Sequence, residues 1–128
     1  NTDMAIAEAC KISNAQIRDY SAAPAYMNEN ASGGRHEWLV EFEREPDSLE
    51  KFALELDASL KQLNSDYEAK RTADIALGFP LVRKLPYGSF EKWLKSKGKL
   101  GGQHKIPRLS NERKIIEEIW NSCLSESI

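Results

Sequence analysis

The stretch HEWLVEFEREPDSLEKFALELDASLKQL (residues 36–63) carries the strongest structural signals in this sequence. Its first part alternates between apolar and acidic side chains, which is the pattern of a strand with one buried face. The apolar members lie on one side and the acidic members on the other: Trp38, Val40 and Phe42 against Glu37, Glu41 and Glu43. The pattern predicts a half-buried strand, with the carboxylates at positions 41, 43 and 45 on a solvated surface and not at an acid/base centre.

After residue 46 the apolar spacing changes to the 3.6-residue period of a helix. Either Asp47 or Ser48 can cap the N-terminus of this helix, because both residue types accept hydrogen bonds from free backbone amides. The inward face consists of six apolar residues: Leu49, Phe52, Ala53, Leu56, Leu60 and Leu63. A strand followed closely by an amphipathic helix indicates a mixed fold.

Toward the N-terminus the sequence predicts one more helix and a weaker strand. Asp3 can cap a helix with a short apolar stripe, formed by Ala5, Ile6, Ala9 and Cys10. Residues 15–20 have weak strand character. Residues 22–34 contain Pro24, two asparagines and a glycine pair, so this stretch predicts mainly loop and turn.

Toward the C-terminus four more elements are predicted: a short helix over residues 64–71, a strand over 81–85, a helix that ends near Gly98, and a last helix capped by Ser110. The expected inward residues of the last two helices are Phe90, Trp93, Leu94, Ile115, Ile116, Ile119, Trp120, Cys123 and Leu124. The whole order predicts an α+β fold with a small, mainly antiparallel sheet packed with helices.

Composition limits the class of protein. The chain has 128 residues, of which 41% are hydrophobic and 30% charged, which is typical of one globular domain. No apolar stretch approaches the ~20 residues of a membrane span, so we expect no membrane partner. Two cysteines form no disulfide framework, which favours a reducing compartment and a cytoplasmic location.

The net charge of -2 conceals an uneven distribution along the chain. Residues 1–82 contain 8 basic and 15 acidic side chains, residues 83–114 contain 10 basic and 2 acidic, and residues 115–128 contain 3 acidic and none basic. The basic segment, residues 83–114, therefore carries +8. Such an excess favours an anionic partner such as a phosphate or a nucleic acid, or it forms the solvated face of two helices.

Several kinds of site are excluded by the residues present. The two histidines, His36 and His104, and the two cysteines show no metal-ligand spacing, so no metal site is predicted. Cys10 and Cys123 lie on apolar helix stripes and are interpreted as small core residues. The chain also lacks a GxSxG elbow, a Walker A loop and a GxGxxG fingerprint.

The segment GKLGGQHKIPRLS (residues 98–110) is the best candidate for chemistry. Glycines such as Gly101 and Gly102 let backbone amides approach a phosphate closely. Lys105 offers a point charge and Arg108 a forked donor, and the predicted helix start at Ser110 adds free amides. The alternative is a glycine-rich turn between two helices that happens to contain lysines.

The longer segment GKLGGQHKIPRLSNER (residues 98–113) resembles the signature near the C-terminus of the auxin-conjugating family of acyl-acid amido synthetases. Four earlier motifs resemble the same family in the same order: GRHEWLVEF (34–42), YEAKR (67–71), LGFP (77–80) and GSFEKW (88–93). The resemblance covers about residues 34–119, and residues 1–33 match more loosely.

That family belongs to the adenylate-forming superfamily, together with acyl-CoA synthetases and luciferases. Its members have a large N-terminal domain, which holds most of the ATP and acyl-acid site, and a small mobile C-terminal domain. The resemblance implies that residues 1–128 are this C-terminal lid, a fragment that is inactive alone. The first residue, Asn1 instead of methionine, agrees with that expectation.

The resemblance also implies a two-step reaction. A carboxylic acid attacks the α-phosphorus of ATP and gives an acyl-adenylate and pyrophosphate; the amine of an amino acid then attacks the acyl carbon and releases AMP. The implied cofactor is ATP with Mg in the full-length protein. The implied partners are the missing N-terminal adenylation domain and the carboxylic acid and amino acid substrates.

In the superfamily, a lysine from a glycine-lysine loop of the lid assists adenylation. Lys105 matches it by position, and Lys99 is the competitor. The phosphate- and nucleotide-binding residues implied with it are Gly101, Gly102, Gln103 and Arg108. The common form of the motif has Ser-Gly directly before the lysine, whereas Gln103-His104 stand there in this chain, so the choice between the two lysines stays open.

Two other functions are compatible with the residues. A nucleic-acid-binding module would use the basic segment with Tyr87, Trp93 and His104 as stacking contacts, although no RNP or KH signature accompanies them. A partner-docking module would expose an apolar patch. We expect no nucleic acid to bind.

Overall fold

The computed structural model describes residues 2–26, 34–72, 77–98 and 106–126, with side chains as far as residue 123. The elements in these ranges are α1 (Thr2–Ile12), β1 (Gln16–Tyr26), β2 (Gly34–Arg44), α2 (Leu49–Leu63), α3 (Ser65–Arg71), β3 (Leu81–Leu85), α4 (Ser89–Ser96) and α5 (Lys114–Glu126). Their order is the predicted one, and the α+β class is confirmed. Among the described residues, no helix has the length and apolar character needed to cross a membrane.

The three strands form one sheet in the order β1-β2-β3. β1 and β2 are antiparallel, from the pair Gln16 and Arg44 to the pair Tyr26 and Gly34. β2 and β3 are parallel, from Glu37 opposite Leu81 to Glu41 opposite Leu85. The sheet is therefore mixed. The parallel pair arises because α2 and α3 lie between the two strands and carry the chain back to the same end of the sheet.

Both faces of β2 are covered. Trp38, Val40 and Phe42 lie in a core cluster that includes side chains of α1 and α2. Leu39 lies in a second cluster, whose other members include Phe90 on α4 and Ile116 on α5. The expectation of a solvated glutamate face is therefore wrong for the middle of β2. Glu37 and Glu41 are only 7% and 1% exposed, because α4 and α5 pack on that face.

The N-terminal strand is longer than its sequence indicates. β1 continues to Tyr26 and β2 begins at Gly34, so the loop predicted for residues 22–34 is wrong at both ends; residues 27–33 lie outside the described ranges. Pro24 is tolerated because β1 is at the edge of the sheet and pairs with one strand only, β2.

Helix ends were predicted with mixed success. Ser48 caps α2, since its Oγ accepts a hydrogen bond of 3.2 Å from the amide of Lys51. Asp3 lies inside the first turn of α1 and is not the residue before it. The prediction for Ser110 is wrong because α5 begins only at Lys114. The amide of Ser110 donates instead to the carbonyl of Ala22, at 3.0 Å.

Candidate functional site: the glycine-lysine loop and its flanks

Most of the predicted site residues fall outside the described part of the chain. These are Lys99, Gly101, Gly102, Gln103 and Lys105. Arg108 and the segments on both sides are described. The two flanks of the candidate loop are residues 95–98 upstream and residues 106–110 downstream.

The upstream flank is the C-terminus of α4. Gly98 has a φ of 68°, the left-handed conformation that glycine adopts readily at a helix end, and its amide donates to the carbonyl of Lys95 at 3.0 Å. The ammonium of Lys97 lies 2.6 Å from a carboxylate oxygen of Glu118 on α5. The chain thus enters the loop from a closed helix end that is tied to α5.

The downstream flank runs beside β1. Ile106 is buried in the second core cluster. The hydroxyl of Ser21 donates to the carbonyl of Pro107 at 2.7 Å, and the amide of Ala22 donates to the carbonyl of Arg108 at 2.9 Å. Residue 109 forms a parallel bridge with Ala22. Residues 106–110 are therefore attached to the edge of the sheet by backbone hydrogen bonds and by one buried side chain.

The side chain of Arg108 lies among acidic and aromatic groups of α1 and β1. Its Nη1 is 3.1 Å from both carboxylate oxygens of Asp3, and its Nε is 3.5 Å from Oδ1 of Asp19. The guanidinium also lies 5.5 Å from the centre of the Tyr20 ring. Burial alone would lower the pKa of Arg108, but the negative charges of Asp3 and Asp19 outweigh it, so the pKa lies above its usual value. Its role at a phosphate stays a prediction.

Tyr20 connects this group to the core. Its side chain is 1% exposed and its ring centre lies 5.6 Å from that of Trp38. Its hydroxyl donates to Oδ1 of Asp3 at 2.6 Å and lies 3.1 Å from the hydroxyl of Thr2. Burial, followed by the bond to Asp3, raises the pKa of Tyr20 to about 12. The phenol therefore stays neutral and holds the Asp3 carboxylate in place.

Glu41 is a structural residue that the sequence reasoning missed. Its Oε1 accepts from the amide of Phe90 at 2.9 Å, and its Oε2 accepts from the amide of Gly88 at 2.8 Å and from Arg18 at 2.9 Å. Gly88, which precedes α4, has a φ of 90° and no side chain with which to cap the helix. The sequence did contain one signal for this role: a helix that follows a glycine has no side chain at its N-cap, so its free amides need an acceptor from another part of the chain.

Glu37 holds two arginines of the basic segment. Its Oε2 accepts from Nε of Arg83 at 2.7 Å, and its Oε1 accepts from Nη2 of Arg113 at 2.9 Å. Arg113 also donates to the carbonyl of Pro24 at 3.0 Å. One carboxylate on the central strand therefore joins β3 and the start of α5.

The +8 of the basic segment is offset in space by carboxylates. Of its described members, at least five form ion pairs: Arg83 with Glu37, Lys84 with Glu45, Lys97 with Glu118, Arg108 with Asp3 and Asp19, and Arg113 with Glu37 and Glu117. Every one of these carboxylates lies outside residues 83–114. The net positive charge that a partner would meet at this surface is therefore smaller than the +8 counted along the sequence.

A second buried network lies beside the first core cluster, of which Tyr67 is a member. Oδ1 of Asp57 accepts from the hydroxyl of Tyr67 at 2.5 Å and from Nε of Arg71 at 2.8 Å, and Oδ2 accepts from Nη2 of Arg71 at 3.0 Å. Burial alone would raise the pKa of Asp57, but these hydrogen bonds and the charge of Arg71 hold it below its usual value. Tyr67 and Arg71 belong to the YEAKR motif, so this motif forms a structural clamp between α2 and α3.

In the described ranges, the two cysteines are packed against the core clusters. Cys10 is buried in the first core cluster, as predicted, and burial raises the pKa of its thiol. Cys123 is partly buried against the second cluster, and its thiol lies 3.3 Å from the hydroxyl of Ser89. Among the residues described, no three His, Cys, Asp or Glu side chains are grouped so that they could hold a metal ion.

Comparison with known proteins identifies the family. A family model described as the GH3 family C-terminal domain matches residues 1–114, which include the whole glycine-lysine loop. The chain belongs to the GH3 family. The resemblance seen in the motifs is therefore confirmed.

Solved structures show the same fold. A GH3.15 acyl acid amido synthetase aligns with a TM-score of 0.70 at 16% identity, over 95% of this chain and 22% of the other. A second structure, of AtGH3.15 acyl acid amido synthetase in complex with 2,4-DB, gives a TM-score of 0.71 at 16% identity, over 95% and 23%. The GH3 domain described here thus spans less than a quarter of those synthetase chains. A search of curated proteins gives no significant match.

Proposed function

We propose that this chain is the mobile C-terminal domain of an ATP-dependent acyl-acid amido synthetase and that it supplies a lysine to adenylation. The observation that carries the proposal is the match of the GH3 family C-terminal domain to residues 1–114. The solved synthetases are consistent with it, because the domain accounts for only 22% and 23% of their chains. The N-terminal adenylation domain is then the main partner.

The parent enzyme acts in two steps. A carboxylic acid displaces pyrophosphate from ATP and forms an acyl-adenylate; the amine of an amino acid then displaces AMP and forms the amide. ATP enters as its magnesium complex, in the cytoplasm, and is bound mostly by the N-terminal domain. This domain closes for the first step and rotates for the second, as small mobile domains do in other enzymes.

Lys105 is the residue to which we assign the lysine function, with Lys99 as the alternative. Phosphoryl transfer is accelerated mainly by positioning and by neutralising charge, and a lysine delivered by a closing domain meets charge that develops in the transition state. Gly101, Gly102 and Gln103 offer backbone and amide donors to the same phosphates.

The way in which the flanks are held supports this assignment. Gly98 closes α4, while Ile106 is buried and residues 108–110 are bonded to Ala22. A loop whose two ends are fixed can present a lysine in a defined place, and correct placement is worth several orders of magnitude in rate.

The deciding experiment compares single lysine variants of the full-length synthetase that carries this domain. Lys105→Ala is expected to lower the rate of ATP–pyrophosphate exchange by about a hundredfold, which is within the usual effect of removing one transition-state donor. Lys99→Ala tests the competitor, and Lys95→Ala, an exposed lysine on α4, is the matched control. Wild-type exchange in both loop variants would contradict the lysine assignment.

The nucleic-acid alternative has less support. It depends on the +8 of the basic segment, and at least five cations of that segment pair with carboxylates in the fold. Trp93 is also buried in the second core cluster, so its ring is not available to stack on a base.

A further inference from the structure

The contacts of Arg108 point to a role other than phosphate binding. We infer that Arg108 is a positioning residue, which holds the end of the lysine loop through Asp3, Asp19 and Tyr20. The inference rests on the proposed function, because it concerns how the loop lysine is placed. We call these four residues the Arg108 cluster.

The first argument is that the cluster is anchored in the core. Tyr20 is 1% exposed and packs against Trp38, and its hydroxyl holds Asp3 at 2.6 Å. Both oxygens of Asp3 lie 3.1 Å from Nη1 of Arg108. A continuous path of contacts therefore runs from the core of the domain to a residue near the end of the loop.

The second argument is the distance along the chain. Arg108 follows Lys105 by three residues, and Ile106 and Pro107 between them are held by the second core cluster and by Ser21. Arg108 therefore adds a further side-chain anchor at the end where the chain leaves the loop, beyond the contacts that Ile106 and Pro107 provide. A shift of about 1 Å in a catalytic group is enough to lower a rate by about a hundredfold.

The third argument is electrostatic. A phosphate brought to the guanidinium of Arg108 would approach Asp3 and Asp19, whose oxygens lie 3.1 and 3.5 Å from its nitrogens. Two carboxylates at that distance repel an anion, and they already engage the Nη1 and Nε donors of the guanidinium. The same geometry suits a cation that links α1 and β1 to residues 106–110.

The test uses the full-length synthetase and separates kcat from the KM for ATP in the exchange reaction. Arg108→Gln and Asp3→Asn are each expected to lower kcat by about tenfold while the KM for ATP stays within about twofold. Tyr20→Phe keeps the buried ring and removes only the hydroxyl, so it should act in the same direction more weakly. Glu8→Gln, on the exposed side of α1, is the control for Asp3.

A double-mutant cycle sharpens the result. If Arg108 acts through Asp3, the variant that carries both substitutions should lose no more than about twofold beyond Arg108→Gln alone. Multiplied effects would mean that the two residues act independently and would overturn the inference. Circular dichroism and the melting temperature of each variant identify any loss of fold, and Tyr20→Phe provides a conservative check in that case.

Two other outcomes would also overturn the inference. A raised KM for ATP in Arg108→Gln, with Asp3→Asn unchanged, would identify Arg108 as a nucleotide ligand. Wild-type kinetics in both variants would show that the cluster has no part in adenylation. Lys105→Ala, measured in parallel, distinguishes the two proposals. If Lys105→Ala loses exchange activity while the variants of the Arg108 cluster behave like wild type, the inference about Arg108 fails and the proposed function still holds.

Discussion

Glu41 and Gly88 are joined by a hydrogen bond of 2.8 Å between the carboxylate and the backbone amide, although 47 residues separate them in the chain. The same carboxylate accepts from the amide of Phe90, so the central strand caps the N-terminus of α4. A carboxylate buried in the sheet therefore holds the start of the helix whose C-terminus is the upstream flank of the candidate loop.

The first prediction concerns this carboxylate. Both of its oxygens face N–H donors, so in Glu41→Gln the new amide group must point at a donor and leaves one hydrogen bond unmade. We expect a loss of about 2–3 kcal/mol in the free energy of unfolding, measured with urea. Glu43→Gln, on the same strand and 46% exposed, should change it by less than about 0.5 kcal/mol. Equal effects of the two substitutions would contradict the capping role.

The second prediction is a pH dependence that arises from Asp57. Its pKa is lowered in the folded state, so its stabilising contribution is complete above the unfolded value of about 3.9 and is lost as the pH falls through the folded value. At pH 7 Asp57→Asn should be clearly less stable than wild type. The difference between the two should shrink as the pH is lowered below about 4.

Thermal melts of both proteins between neutral and acidic pH measure this difference. Asp66→Asn is the control, because Asp66 is 77% exposed and its ion pair with Lys70, at 3.2 Å, lies on the surface. A stability difference for Asp57→Asn that did not change with pH would mean that the charge of Asp57 has no part in it.

The third prediction concerns nucleic acid. Because carboxylates pair with Arg83, Lys84, Lys97, Arg108 and Arg113, we expect binding to random oligonucleotides no tighter than the non-specific range of about 10⁻⁴–10⁻⁶ M at physiological salt. Fluorescence anisotropy at two salt concentrations measures it. Tight, strongly salt-dependent binding that Lys95→Glu abolished would favour the nucleic-acid module instead.

Local patterns predicted the order of the elements, because periods of 2 and 3.6 residues are properties of neighbouring residues. The position of β3 beside β2, the extension of β1 to Tyr26 and the burial of Glu41 were not predicted. Each of these depends on contacts between distant parts of the chain. An alternating strand such as residues 36–43 shows which residues share a face, but not whether a later helix covers that face.

In the candidate site, too, local sequence patterns predict some features, whereas contacts between distant residues cannot be predicted. Glycine and lysine types in residues 98–110 predict a phosphate-binding loop from sequence alone; the family match covers these residues, and the function of the loop stays a prediction. The ion pair between Arg108 and Asp3 could not be predicted, because 105 residues separate the two and no local sequence pattern indicates that they are in contact.

The last prediction is that this chain alone forms no acyl-adenylate. On our proposal it contributes one lysine loop, while the acyl-acid pocket and most of the ATP site belong to the N-terminal domain. The purified chain, incubated with ATP, magnesium and a carboxylic acid, should therefore release no pyrophosphate above background. Adding the separately produced N-terminal part of the parent should restore release, and a chain that carries Lys105→Ala should restore much less. Pyrophosphate release by the chain alone, lost in its own Lys105→Ala variant, would contradict the division of labour, since the complete adenylation site would then lie within these 128 residues.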